Sequence, residues 1–183
     1  MEYPAQLEEW LMCDGLALLI RPIQASDTAA LCDLFKSLST GDRWFRFLHG
    51  VSSISWKELE QRTHIDYGSE AAFAAVGRFD QLEALLGVVR LFVDSEGKRA
   101  EMAIAVRTAE QGRGIGTLLV DKAVRYARGR GIAELHGMVH ASNLRMLSMA
   151  RRYGVTLLSH PDGIFQVSLD VENVEVATPC LPY

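Results

Sequence analysis

Three glycines at alternate positions, Gly112, Gly114 and Gly116, lie in the run Val106-Arg-Thr-Ala-Glu-Gln-Gly-Arg-Gly-Ile-Gly-Thr117, where a strand pattern gives way to a helix pattern. The first turn of a helix leaves N–H groups without intrahelical partners, and the positive end of the helix dipole lies behind them. Glycine has no Cβ, so an anion can approach such a backbone closely. The backbone of Gln111 to Thr117 is thus a candidate nest for a pyrophosphate. A P-loop needs a lysine before its Ser/Thr, and Gly116-Thr117 lacks it. A dinucleotide-binding turn needs a different glycine spacing on the first strand, and this run comes late in the chain. The plain alternative is a tight strand-to-helix turn that binds nothing.

Glu101 precedes that run on a strand pattern, Arg99 to Val106. On an ideal strand it shares a face with Ala103 and Ala105, whose small side chains leave room above it. A carboxylate there can take a proton from a reacting group. Its plain alternatives are a solvent-facing residue or an ion-pair partner of Arg99 or Arg90. Asn143 opens the last helical pattern and can cap it, with Ser142 as competitor. Arg113 and Lys122 are candidates to reach phosphates, although exposed helix cations are normally only solvated. Arg43 and Arg46 read as partners of nearby acids, and Asp66-Tyr67 as a candidate border of the cleft. His136 and His140 bracket a strand end and read as structural or surface residues, so no metal is expected. Cys13, Cys32 and Cys180 are scattered and odd in number, which is neither a disulfide framework nor a CxxC pattern.

These residues need elements to position them. The chain has 183 residues, 49% of them hydrophobic, with a formal net charge of −4. That fits one globular domain over 1–183 and argues against a nucleic-acid partner bound through a basic surface. No signal peptide pattern opens the sequence, and Leu16 to Ile20 is too short to span a bilayer, so a reduced cytoplasmic setting without a membrane partner is expected.

Asp14-Gly15 predicts a hairpin between Trp10-Leu11-Met12 and Leu16 to Arg21, making 1–15 an N-terminal extension. Pro22 limits the pairing of the second strand. Ser26 is the expected N-cap of a helix with Ala30, Leu31, Leu34, Phe35 and Leu38 on one face. A short helix is expected over Arg43 to Leu48, and another from Ser55, where Glu58 completes a capping box. Strands follow at Ala71 to Val76, Leu85 to Val93 and Arg99 to Val106, then a helix ending near Gly129-Arg130-Gly131. A strand at Ile132 to Val139, a helix at Asn143 to Tyr153 and two strands around Pro161-Asp162-Gly163 complete the pattern. Residues 172–183 read as a loose tail. The order is that of a mixed α/β layer fold.

Gln111-Gly-Arg-Gly-Ile-Gly116 resembles the Q/R-x-x-G-x-G/A signature of the GNAT superfamily of N-acetyltransferases, at that family's place between a strand and the following helix. The resemblance covers about residues 16 to 170. Further segments are similar to the catalytic domain of bacterial protein lysine acetyltransferases: Tyr3-Pro4, Asp14-Gly15, Ile20-Arg-Pro-Ile23, Arg43-Trp-Phe-Arg-Phe47, Ile65-Asp-Tyr67, Arg99-Ala-Glu101 and Asn143-Leu-Arg-Met-Leu147. The resemblance implies a mostly antiparallel, twisted central sheet of about seven strands flanked by about four to five helices. It implies acetyl-CoA as cofactor. The backbone of Gln111, Gly112, Arg113, Gly114, Ile115, Gly116 and Thr117 would hold the pyrophosphate. Met102, Ile104 and Val106 would lie along the pantetheine arm, on a strand that carries a bulge in the family, and Asn143 would also contact the cofactor. Glu101 matches the glutamate taken as general base.

The implied reaction is attack by a primary amine, from a small molecule or a protein lysine, on the thioester carbonyl, which a strand N–H would polarise. Many members have a tyrosine where this chain has Ala150, so a general acid is absent or comes from elsewhere. Tyr153 lies on another helix face. The alternative function is a non-catalytic acetyl-CoA-binding sensor or regulatory module. A homodimer is left open.

Overall fold

The computed structural model describes residues 3–48, 53–79 and 81–176. Strands β1 (Glu9–Cys13) and β2 (Leu16–Pro22) form the expected hairpin. Asp14 and Gly15 both take positive φ, 50° and 75°, as a two-residue type I′ turn requires. Helices α1 (Thr28–Lys36), α2 (Thr40–Phe47) and α3 (Trp56–Thr63) follow. Then come β3 (Glu70–Phe79), β4 (Leu82–Val93) and β5 (Arg99–Val106), helix α4 (Ile115–Gly129), β6 (Glu134–His140), α5 (Leu144–Arg152), β7 (Thr156–His160) and β8 (Ile164–Asp170).

All strands join one sheet in the order β1-β2-β3-β4-β5-β6-β8-β7. The sheet has eight strands where about seven were expected, because β1 pairs along its whole length with β2. Every neighbouring pair is antiparallel except β5 and β6, which run parallel on either side of the α4 crossover.

Both faces of the sheet are covered. Ala71, Phe73, Val89 and Leu91 pack with Leu119, Val120, Ala123 and Val124 of α4 on one face. Ala72, Ala74, Leu85 and Val88 pack with Leu31, Leu34 and Phe35 of α1 and Leu59 of α3 on the other. Double-sided burial explains why β3 and β4 read as nearly continuous apolar runs and not as alternating ones.

Several expectations need correction. Ser26 does not cap α1. It sits inside a short 3₁₀ turn whose capping box is made by Gln24 and Asp27, and Asp27 also forms a buried two-pronged ion pair with Arg21 at 2.7 Å. A carboxylate that satisfies both a guanidinium and the Gln24 N–H outcompetes a serine hydroxyl. Helix α2 begins earlier than expected, at Thr40, because Ser39 caps it by accepting from the Asp42 N–H. The Ser55–Glu58 capping box is present. The bulge implied for β5 is absent: β4 and β5 pair in unbroken register, and the shift lies between β3 and β4 at Ala75/Val76. Residues 172–176 are not a loose tail. Val174 is 8% exposed, and the Arg128 guanidinium donates to the carbonyls of Val171 and Val174. Cys180 and the remainder of 177–183 lie outside the described residues. Among the described residues, no helix is long and apolar enough to cross a membrane.

Candidate functional site

The sheet parts between β5 and β6. The two strands pair only from Arg99 to Glu101 against Glu134 to His136. Beyond that, β6 continues on β8 while the second edge of β5, from Met102 to Val106, faces no strand among the described residues. Gly137 stands at the fork. A Cβ there would lie 2.9 Å from the Met102 carbonyl oxygen, so only glycine permits this approach. The fork opens at the carboxyl ends of two parallel strands, and the N-termini of α4 and α5 converge on it. In open sheets this is where ligands bind.

The two helix starts differ. At α5, Asn143 is the N-cap: its Oδ1 accepts from the Met146 N–H at 3.1 Å. Asn143 therefore caps, and Ser142 does not. At α4 the N-cap is Gly114, at φ 91°, with no side-chain cap. The Leu118 N–H reaches the Gly114 carbonyl, and the Gln111 N–H turns inward to Thr108 at 3.4 Å. The N–H groups of Gly112 through Thr117 have no backbone partner among the described residues. Gly112, at φ 83°, has open space where a Cβ would be, and a Cβ on Gly114 would lie 3.2 Å from the Cys13 Sγ. This is an uncapped, glycine-lined positive helix end, with the donors and space that a diphosphate requires.

Two adjoining cavities fill the fork. One of about 900 Å³ runs past Gln111, Gly112, Gly114, Gly116 and Thr117 to Arg145 and Arg152 of α5. The other, about 380 Å³, is lined by Glu101, Met102, Ala103, Arg46, Arg62 and His136, among others. Phe45, Arg46, Ile104 and Asn143 line both. The free edge of β5 thus connects the glycine turn to Glu101, as an extended ligand arm needs.

Glu101, Met102, Ile104, Val106, Gln111, Gly112, Gly114, Gly116, Thr117 and Asn143 are brought to one cleft. Two of the expected residues bring only backbone to it. The Ile115 side chain is core, and the Arg113 guanidinium turns away to Glu110 at 2.5 Å and Asp14 at 3.0 Å. Lys122 is also removed from consideration for phosphate. It is buried against the Leu7 carbonyl and Glu9, and burial pushes its pKa down. Asp66 and Tyr67 do not border the cleft: Asp66 caps Gly68 and Ser69, and the Tyr67 hydroxyl donates to the Ile23 carbonyl.

Unbroken β5 register leaves Glu101 on the face of Ala103 and Ala105, toward the α1–α3 side. The two arginines suggested as its ion-pair partners are otherwise engaged, Arg99 with Glu134 at 2.8 Å and Arg90 with Glu70. Glu101 has no hydrogen bond or ion pair among the described residues and is exposed to the cleft.

Sequence reasoning misjudged two residues. His136, read as structural or surface, is the cross-strand neighbour of Glu101 and lines its cavity, with Nδ1 buried and without a partner. Arg46, read as a partner of acids, instead stacks on Phe47 and lines both cavities. No local pattern could reveal either, since the parallel β5–β6 register and the seating of α2 over β5 arise only in the fold. His140 is structural, packed edge-on against Trp44 at 4.6 Å. Tyr153 is committed elsewhere. Its hydroxyl donates to Asp121 at 2.7 Å, and burial together with that carboxylate drives its pKa far up.

The sequence matches the model of the acetyltransferase (GNAT) family over residues 41–155. It is similar to an acetyltransferase of Pseudomonas aeruginosa, with 29% identity over 84% of this chain and 83% of that protein. Among solved structures it is similar to the GNAT domain of S. lividans PAT, with 27% identity over 92% of this chain and 99% of that one at a TM-score of 0.82. At the level of fold it also matches the spermidine N-acetyltransferase of Vibrio cholerae, solved in complex with CoA and spermine: 18% identity, 85% of this chain, 96% of that one and a TM-score of 0.69.

Proposed function

Because the chain belongs to the acetyltransferase (GNAT) family, whose cofactor is acetyl-CoA, we propose that it transfers the acetyl group to a primary amine with Glu101 as general base. The single observation that carries this reading is the set of unpartnered N–H groups from Gly112 to Thr117, joined to Glu101 by the free edge of β5.

In this reading the amides of Gly112 to Thr117 hold the cofactor diphosphate. Their donors need no rearrangement, since no cap occupies them. Met102, Ile104 and Val106 lie along the pantetheine arm, and Asn143 supports it from the start of α5. Bound acetyl-CoA supplies a thioester carbonyl to the amine. An alkyl ammonium has a pKa of ~10.4 and carries no lone pair at neutral pH, so its proton must leave first. Glu101, free of ion pairs, is positioned to accept that proton, directly or through water. No tyrosine supplies a proton to the leaving thiolate: Ala150 occupies the expected position, and Tyr153 is held by Asp121. Water fills that role.

The test combines calorimetry of coenzyme A binding with release of free thiol from acetyl-CoA across a panel of amines and lysine peptides. Wild type is expected to bind and turn over. Gly114→Asp is expected to lose binding, because it adds bulk at a positive φ and negative charge where phosphates would sit. Tight binding by that variant would place the diphosphate elsewhere. Binding without turnover on any acceptor would favour the non-catalytic sensor.

A further inference from the structure

The cavity beside Glu101 holds more positive charge than its carboxylates balance. Arg46 and Arg62 line it, and Arg90 lies behind them at 3% exposure. Three carboxylates face these three guanidinium groups. Glu58, one turn before Arg62 on the exposed side of α3, does not line the cavity and is held by the Ser55 N–H and hydroxyl. Glu70 is taken by Arg90, which also donates to the Arg62 carbonyl, and Glu101 bonds to none of the three. The Nε atoms of Arg46 and Arg62 are both buried and lack a hydrogen-bond partner among the described residues. A buried guanidinium donor without a partner costs desolvation that nothing offsets. Burial, then the charges of Arg62 and Arg90, push the Arg46 pKa down to about 10, with Glu101 opposing. The acids of the adjoining cavity are already bonded, Asp42 by Thr108 and Ser39 and Glu110 by Arg113.

Such a pocket suits an anion. It is unfavourable for a polyamine, which would bring further positive charge to an arginine cluster. Planar guanidinium groups match carboxylate and phosphate geometry, and about 380 Å³ is the size of a small-molecule site. We propose that the acceptor is a small primary amine that also carries an anionic group, carboxylate or phosphate, held by Arg46 and Arg62 while its amine faces Glu101. This rests on the acetyltransferase reading above and names its substrate class.

The test uses the full chain with acetyl-CoA and matched amines, following thiol release. Glycine, β-alanine and 5-aminopentanoate carry the carboxylate. O-phosphoethanolamine carries the phosphate. Ethylamine, pentylamine, ethanolamine, cadaverine, spermidine and a lysine peptide lack the anion. At least one amine that carries the anion is expected to exceed its match without it in kcat/KM by about tenfold or more, as a charge-assisted pair gives. The carboxylate and phosphate arms identify which anion fits. Arg62→Gln and Arg46→Gln are each expected to collapse that preference through KM for the amine, and Arg62→Gln, whose residue lines the cavity beside Glu101 and not the one at the glycine turn, is expected to leave calorimetric affinity for coenzyme A unchanged. Turnover of cadaverine, spermidine or the lysine peptide as good as that of every anionic amine would overturn the proposal and leave the acetyltransferase reading intact. No coenzyme A binding, or no turnover of any amine, would overturn both.

Discussion

Glu101 and Tyr153 both present ionisable groups to the same cleft, yet their surroundings assign them opposite parts. Glu101 projects from β5 into solvent space with no partner among the described residues, so its carboxylate is free to receive a proton. Glu101→Gln keeps the shape and removes the base. It is expected to lower kcat by about 10²- to 10⁴-fold with the KM for acetyl-CoA unchanged, as followed by thiol release; full activity at pH 7 would remove Glu101 from the chemistry. Tyr153 instead spends its hydroxyl on Asp121, which is 2% exposed. Tyr153→Phe is therefore expected to cost about 1–3 kcal/mol of stability by taking a donor from a buried carboxylate, with kcat retained. Urea midpoints and turnover measured on the same preparation separate the two effects.

At the scale of elements, the site is made by helices that end differently and by strands that part. Asn143 completes α5, whereas Gly114 leaves α4 open for a ligand. Asn143→Ala is expected to cost about 1 kcal/mol through the lost cap, read as a small fall in Tm. Gly137 determines where β6 leaves β5, since any Cβ there meets the Met102 carbonyl oxygen. Gly137→Ala must push the strands apart and is expected to lower Tm by about 5 °C or more, with weaker coenzyme A binding because the fork changes shape. An unchanged Tm would mean the backbone yields there without cost. The glycine turn was legible in the sequence because a helix start and its missing cap are local facts. Gly137 was not, because its role lies in an oxygen on another strand.

For the whole molecule, the ionisable groups set a pH window of stability. Tyr3, Tyr67, Tyr126 and Tyr153 are all raised above the ordinary tyrosine value of 10.0, first of all by burial, with Tyr3 pushed up to about 12. A folded-state pKa above the unfolded one gives stability that is whole below pH 10 and is lost as pH rises beyond it. Glu134 is held below the usual carboxylate range by the Arg99 hydrogen bond, and Asp170 by that of Asn173. Their contribution is present above the unfolded carboxylate values and is lost as pH falls through the folded ones. The Cys13 thiol is also raised by burial from its ordinary value of 9.0, so its contribution starts to be lost before that of the tyrosines. Urea midpoints are thus expected to stay flat between about pH 5 and pH 9 and to fall on both sides. A maximum confined to acidic pH would contradict the tyrosine burial.

The sequence by itself determined what depends on near neighbours. It set the Asp14-Gly15 hairpin, the Ser55–Glu58 capping box, the helix that follows the glycine run and the order of strands and helices, because turn dihedrals, caps and hydrophobic period are short-range. It also carried the family signature from Gln111 to Gly116. Only the tertiary structure decided what depends on distance along the chain. The fork between β5 and β6, His136 beside Glu101 and the arginines of the cavity beside Glu101 join residues far apart in sequence. Charges and close approaches act through space, and no local spacing encodes which distant residue will stand opposite.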